Sequence, residues 1–220
     1  MITIHSILIG QPQTITDEQG IWESSIFRTP VTGAIELTTR GLLGDHVTDT
    51  ERHGTPDQAV CCHLLAHYDH WNAAYNLTDP QSMLGPGSVG ENWTLVGIDE
   101  NTSCIGDIYS VGTAQVQISG PRVPCWKQER KLKLPDFLKQ TRETLRTGFY
   151  LRVLQPGVVQ PGDQLRLEAR PLPDLTQNRI NVCAHHALDV AFAERLLETP
   201  ELAAGWKRIL RYKLDHRSRD

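Results

Sequence analysis

Ala114-Gln115-Val116-Gln117-Ile118-Ser119-Gly120-Pro121-Arg122-Val123-Pro124-Cys125-Trp126-Lys127 joins an alternating apolar and polar run to a proline-flanked cysteine. The alternation predicts a strand over Ala114 to Ser119 with one face on a core. The two prolines stiffen the turn that follows, and a helix is predicted from Lys127 to Arg146, broken at Pro135. Outward from this junction the same texture recurs. Ile2 to Ile9, Ala34 to Thr38, Trp93 to Val96, Ile108 to Val111, Phe149 to Leu154 and Gln164 to Glu168 are short β-prone runs between Gly and Pro. Many short strands with turn signals predict a mainly β chain with helices (α+β), closed as a barrel or a folded-over sheet rather than built from βαβ repeats.

Another helix is predicted from Thr55-Pro56-Asp57-Gln58, where Thr55 caps, Pro56 suits the first helical position and Gln58 completes a capping box, to about Tyr75. After Arg170 the texture changes. Leu175 to Cys183, Ala187 to Leu197 and Leu202 to Leu214 read as three short helices, divided at His185-His186 and Thr199-Pro200. The expected organisation is therefore a β-barrel domain over residues 1–170 and a small three-helix subdomain over 171–220. The apolar faces of three such short helices are expected to bury against one another or against a neighbouring subunit, so a homodimer is an expectation.

With 39% hydrophobic and 22% charged residues in 220, the chain has apolar mass for a core. No apolar run approaches the roughly 20 residues that cross a bilayer, and the opening residues lack a signal-peptide pattern, so no membrane role and a cytoplasmic location are expected. The five cysteines form no CxxC pair and are expected to be free thiols. Net charge is −4 but unevenly spread. Residues 205–220 carry six basic and two acidic groups, and Arg122 to Arg146 eight basic and three acidic, so both stretches are candidates to hold anions.

Gly85-Pro86-Gly87-Ser88-Val89-Gly90 spells GxGxxG, but a strand-like run follows it where a dinucleotide site needs a helix, so it reads as a turn. His63, His67 and His70 have helical spacing, which can bind zinc, but lack the glutamate of HExxH and read as packing or solvent-facing side chains. The basic last helix, with Trp206 and Leu210 among its cations, reads as packed on one side and solvated on the other, so nucleic-acid binding is not expected. Arg52 and His53 precede the predicted helix start at Pro56, where free N–H groups suit an anion such as phosphate. Cys125 is set apart from the other cysteines. It stands on a rigid basic loop beside Arg122 and Lys127 at a predicted helix start, surroundings that favour the thiolate that ligates metals or attacks electrophiles.

Taken in order, Phe27-Arg28-Thr29-Pro30, Gly41-Leu42-Leu43-Gly44-Asp45, His53-Gly54-Thr55-Pro56-Asp57, Gly90-Glu91-Asn92, Gly106-Asp107, Pro121-Arg122-Val123-Pro124-Cys125-Trp126-Lys127 and Gly148-Phe149-Tyr150 resemble the MOSC family, related to the C-terminal part of molybdenum cofactor sulfurases. The likeness is to its YiiM-like hydroxylaminopurine-resistance branch, whose appendage the three-helix tail resembles. Thr55, Val89 and Gly120 depart from the residues usual there.

The resemblance implies a β-barrel that binds the molybdenum cofactor in its molybdopterin form, with Cys125 as metal ligand and catalytic residue. Arg28, His53, Arg122 and Lys127 would hold the cofactor's phosphate or pterin, and Asn92 would make a polar contact near the metal. The implied activity is reduction of small N-hydroxylated compounds, such as hydroxylaminopurine bases, to amines. With no flavin, nicotinamide or iron–sulfur pattern in the chain, a separate reductase or electron-transfer protein would supply electrons. The alternative is a carrier of persulfide sulfur or of the cofactor, using Cys125.

Overall fold

The computed structural model of the protein describes residues 1–50 and 53–216. Arg52, and Arg217 and Arg219 of the basic tail, lie outside the described residues. Thirteen strands and six helices follow one another within them. In the first part lie β1 (Ile2–Gly10), a hairpin of β2 (Gln13–Asp17) and β3 (Gly20–Ser24), β4 (Arg28–Pro30), β5 (Ile35–Thr38), β6 (Gly41–Leu42), β7 (Val60–Leu64) and α1 (Leu65–Ala74). Then come β8 (Trp93–Val96), β9 (Ile108–Val111), β10 (Ala114–Pro121), α2 (Trp126–Leu132), α3 (Phe137–Thr144), β11 (Phe149–Gln155), β12 (Gly157–Val159) and β13 (Gln164–Ala169). The last three helices are α4 (Gln177–His185), α5 (Val190–Glu198) and α6 (Ala204–Asp215).

Seven strands run β13-β9-β10-β11-β7-β8-β1, and the sheet closes because Ile2 and Thr3 of β1 also pair with Leu165 and Gln164 of β13. Closure removes the open sheet edges that would otherwise invite pairing with another chain. The β7–β8 pair is parallel and the other neighbours are antiparallel, with β4 added beyond β1. The expected mainly β barrel with helices is what the chain forms.

The predicted helix from Pro56 to Tyr75 is corrected. Pro56–Gln58 is a single 3-10 turn, Val60–Leu64 is a barrel strand with every residue buried, and only Leu65–Ala74 is helical. A short apolar run bounded by a proline turn is ambiguous between strand and buried helix, and here pairing to β11 and β8 decides it. The histidine spacing therefore has no meaning on a single helix. His63 lies on β7, whereas His67 and His70 lie on α1, and no cluster of three metal-ligating side chains occurs among the described residues. The glycine-rich loop before β8 is a turn without a following helix. The helix after Cys125 does break near Pro135, into α2 and α3.

The apolar faces of α4, α5 and α6 pack on the barrel: Ile180, Phe192, Leu196, Trp206 and Leu210 share one buried cluster with Ile118, Leu151 and Val153. Trp206 is the deepest join. Its indole donates to the Pro121 carbonyl at 2.7 Å and fills the space above Gly120, where a Cβ would meet the ring at 2.6 Å. The side chain missing at Gly120 is thus replaced by one from α6. Asp57 adds a polar tie, accepting from Arg152 and from the Ala204 N–H that starts α6. No helix is long and apolar enough to cross a membrane among the described residues.

Gly120→Val should destabilise the fold by about 1–3 kcal/mol through overpacking, and Trp206→Ala by about 3–5 kcal/mol through the cavity it leaves. Denaturant titration measures both. If the two losses simply added in the double variant, the direct packing of Trp206 on Gly120 would be refuted.

Two histidines make the fold sensitive to acid. Burial, aided by the charges of His67 and Arg122, holds His63 well below the ordinary histidine value, and burial lowers His185 to about 4. Each binds a proton more readily in the unfolded chain, so their contribution to stability is complete above about pH 6.5 and is lost as pH falls toward 4. Melting temperature should fall from pH 7 to pH 4.5, and fall less steeply in His185→Phe. Parallel curves for the two proteins would exclude a part for His185.

Candidate functional site

The junction between β10 and α2 delivers Cys125 to a cleft at one end of the barrel. Arg28, His53, Asn92, Arg122, Cys125 and Lys127, separated by up to about 100 residues in sequence, all line this cleft of about 120 Å³. Cys125 is half-buried at the start of α2, where its backbone N–H donates to Gln128 Oε1 at 3.0 Å. The extended backbone of Cys125 (φ −119°, ψ 139°) turns the chain from strand to helix at this residue.

Arg28 enters from β4. Its Nη1 donates to Asp45 Oδ1 at 2.6 Å, both side chains being nearly excluded from solvent, and its Nε has no partner among the described residues. Arg122 is buried at the end of β10, with Nη2 donating to the Val89 carbonyl at 2.6 Å and Nη1 without a partner among the described residues. Burial opposes its charge, but Cys61, Tyr150, Glu91 and Tyr68 around it raise its pKa overall. Buried guanidinium nitrogens left over in a cleft wall are placed to receive an anion.

Asn92 is in the wall, but its amide is used inside the protein: Oδ1 accepts from Cys61 N–H, and Nδ2 donates to Asp45 Oδ2 and the Leu8 carbonyl. The amide holds the cleft together from within its wall. Lys127 lies at the rim, with Nζ on the Glu23 carbonyl at 2.9 Å. His53 lines the mouth and is backbone-bonded to Asp49.

Several contributors were not assigned a role from sequence. Asp45 knots Arg28, Asn92 and the Gly10 N–H together, and its place in Gly41-Leu42-Leu43-Gly44-Asp45 was the only signal. Arg40 and Tyr150 add to the wall. Gly90 takes φ +75° beside Ile26, where a Cβ would lie 2.3 Å from Ile26 Cγ1, and this close approach sets Glu91 and Asn92 in place. Lys131 clasps the Ile26 and Gly87 carbonyls behind Arg28, and burial lowers its pKa to about 8.

The lining holds four permanent cations, Arg28, Arg40, Arg122 and Lys127, against two carboxylates, Asp45 and Asp49. An anionic cofactor with a soft metal fits this set, because spare guanidinium nitrogens meet its oxygens and a thiol meets its metal. On its other side Cys125 borders a second, larger cavity of about 790 Å³, between its own loop, α3 and α6. His53, Gln58, Val123, Cys125 and Tyr150 line both.

Residues 49–166 match the MOSC domain. The uncharacterized protein YflK of Bacillus subtilis (strain 168) is 34% identical over 216 residues, 97% of this chain and 95% of that protein. A protein of Gibberella moniliformis (strain M3125 / FGSC 7600) named reductase is 34% identical over 151 residues, 68% of this chain but 26% of its own length. The crystal structure of YiiM from Geobacillus stearothermophilus superposes with a TM-score of 0.80 at 34% identity, covering 97% of this chain and all of that one. Sequence motifs, barrel topology and these likenesses agree: the chain belongs to the MOSC domain family, in its YiiM-like branch.

Proposed function

We propose that the protein binds the molybdenum cofactor in the cleft and reduces N-hydroxylated compounds, such as hydroxylaminopurine bases, to amines. The observation that carries this reading is the pair of buried guanidinium groups, Arg28 and Arg122, with nitrogens left over in the wall that also presents Cys125. Family membership and the relative named reductase support the same chemistry. When bound, the molybdenum supplies two-electron redox chemistry, through a cysteine-ligated metal.

The chain's own part is to bind and orient. Arg122 and Arg28 hold the cofactor's anionic groups, with His53 and Lys127 closing the mouth. The Asp45 carboxylate keeps Arg28 from turning, and Asn92 fixes Asp45 in turn. Cys125, which lines both cavities, would be the protein's ligand to the metal, and the larger cavity beside it would take the substrate. The net reaction takes two electrons and two protons per N–OH group and releases the amine and water. A separate reductase or electron-transfer protein delivers the electrons.

Protein purified from a host that makes the cofactor should carry near-stoichiometric molybdenum and pterin by elemental and fluorescence analysis. Cys125→Ser should lose at least ten-fold in molybdenum. Arg122→Lys, which keeps the charge but not the fork, should retain pterin about 10–100-fold less tightly, with circular dichroism confirming its fold. Neither metal nor pterin in the wild type would sink the reading, and labile sulfur on Cys125 in the intact mass would then favour a carrier.

A further inference from the structure

The larger cavity differs in kind from the cofactor cleft. Its wall combines the rings of Trp126 and Tyr212, 45% and 65% exposed, with Leu138 and Ile209. Arg142 of α3 and Arg208 and Lys213 of α6 also line it, and none of these three has a carboxylate partner among the described residues. The one acid in the lining is Asp57, which is held by Arg152 and the Ala204 N–H. Arg208 and Lys213 are about 7.5 Å apart along α6 and about 140° apart around it, so each brings its charge to the cavity from its own side of the helix. The site thus offers an aromatic and aliphatic surface for a flat ring and cations on its wall for an anionic group.

We infer that this cavity receives the substrate as a nucleoside monophosphate, the base against Trp126 beside Cys125 and the phosphate among the α6 cations that line the wall. A phosphate adds a charge-assisted bond to these cations that a free base or a nucleoside cannot make. The concavity and the volume of about 790 Å³ fit a small molecule better than the flatter face a protein partner needs. The inference deepens the reductase reading by naming the form of substrate, and for catalysis it rests on that reading. The binding it describes does not.

The test is direct binding, by calorimetry and tryptophan fluorescence, of adenosine 5′-monophosphate and of adenosine to the protein from a cofactor-producing host. The monophosphate should bind at least ten-fold more tightly in low salt. Arg208→Gln with Lys213→Gln, both surface changes on α6, should erase that difference and leave adenosine affinity unchanged. Equal affinities in the wild type would overturn the inference. So would a difference that survives the double variant, which would put the phosphate on Arg28 and Arg122 in the cofactor cleft. Because no turnover is read, failure of the reductase reading would appear separately, as binding without reduction of the N-hydroxylated nucleotide.

Discussion

Burying the Arg122 guanidinium is the constraint around which this end of the barrel is arranged. A lone buried cation costs several kcal/mol, so its surroundings must compensate it. Cys61, Tyr68 and Tyr150 crowd around it, but burial pushes all three up, and at neutral pH they stay protonated. Glu91 is the one carboxyl group of the set. It is fully buried and holds Tyr68, Thr94 and the Gly87 N–H through one oxygen. The glycine-rich turn, whose spelling suggests a nucleotide loop, serves instead to bring Gly87 onto that carboxylate and Val89 onto the arginine. With these groups engaged, Nη1 of the guanidinium is left without a hydrogen-bond partner among the described residues, on an arginine that lines the cleft.

A strand that ends in a stiff turn is what places Cys125 between two cavities. Pro121 still pairs with Phe149 in the barrel, and four residues later the chain is entering α2. That helix is held by Arg130, whose guanidinium grips Asp17 and lies over the Trp22 ring, and by Lys131 beneath the Phe27 ring. The β2–β3 hairpin and the Phe27–Arg28 segment are therefore fixed to the same helix that starts at the cysteine. Rigidity of this kind keeps a site within the small tolerance that metal and substrate chemistry needs.

The barrel and the three closing helices were legible in the chain because alternation and turn residues are local signals. Trp93–Val96 and Ile108–Val111 have the bounds that their pattern predicts. Val60–Leu64 was not, since a strand buried on both faces has no alternation to read, and a capping-like Thr55-Pro56 start pointed to a helix. The candidate residues were legible as chemistry, but not as partners. Nothing local shows that Asp45 will meet Arg28 and Asn92, or that Trp206 will occupy the space above Gly120, because both depend on how the barrel closes.

Charge patterning is clearest once the fold is known. The basic stretch from Arg122 to Arg146 divides by place: Arg122 and Lys127 go to the smaller cleft, Arg142 to the larger cavity, and Arg130 and Lys131 to the clasp behind them. From the basic tail, Arg208 and Lys213 face the larger cavity as well. Seven of the chain's 22 lysines and arginines thus line the two hollows that meet at Cys125. Walls of low dielectric strengthen such a field locally, which favours anions beside the cysteine. The compositional imbalance that says little about a partner in the linear sequence becomes, in three dimensions, a cationic lining around one thiol.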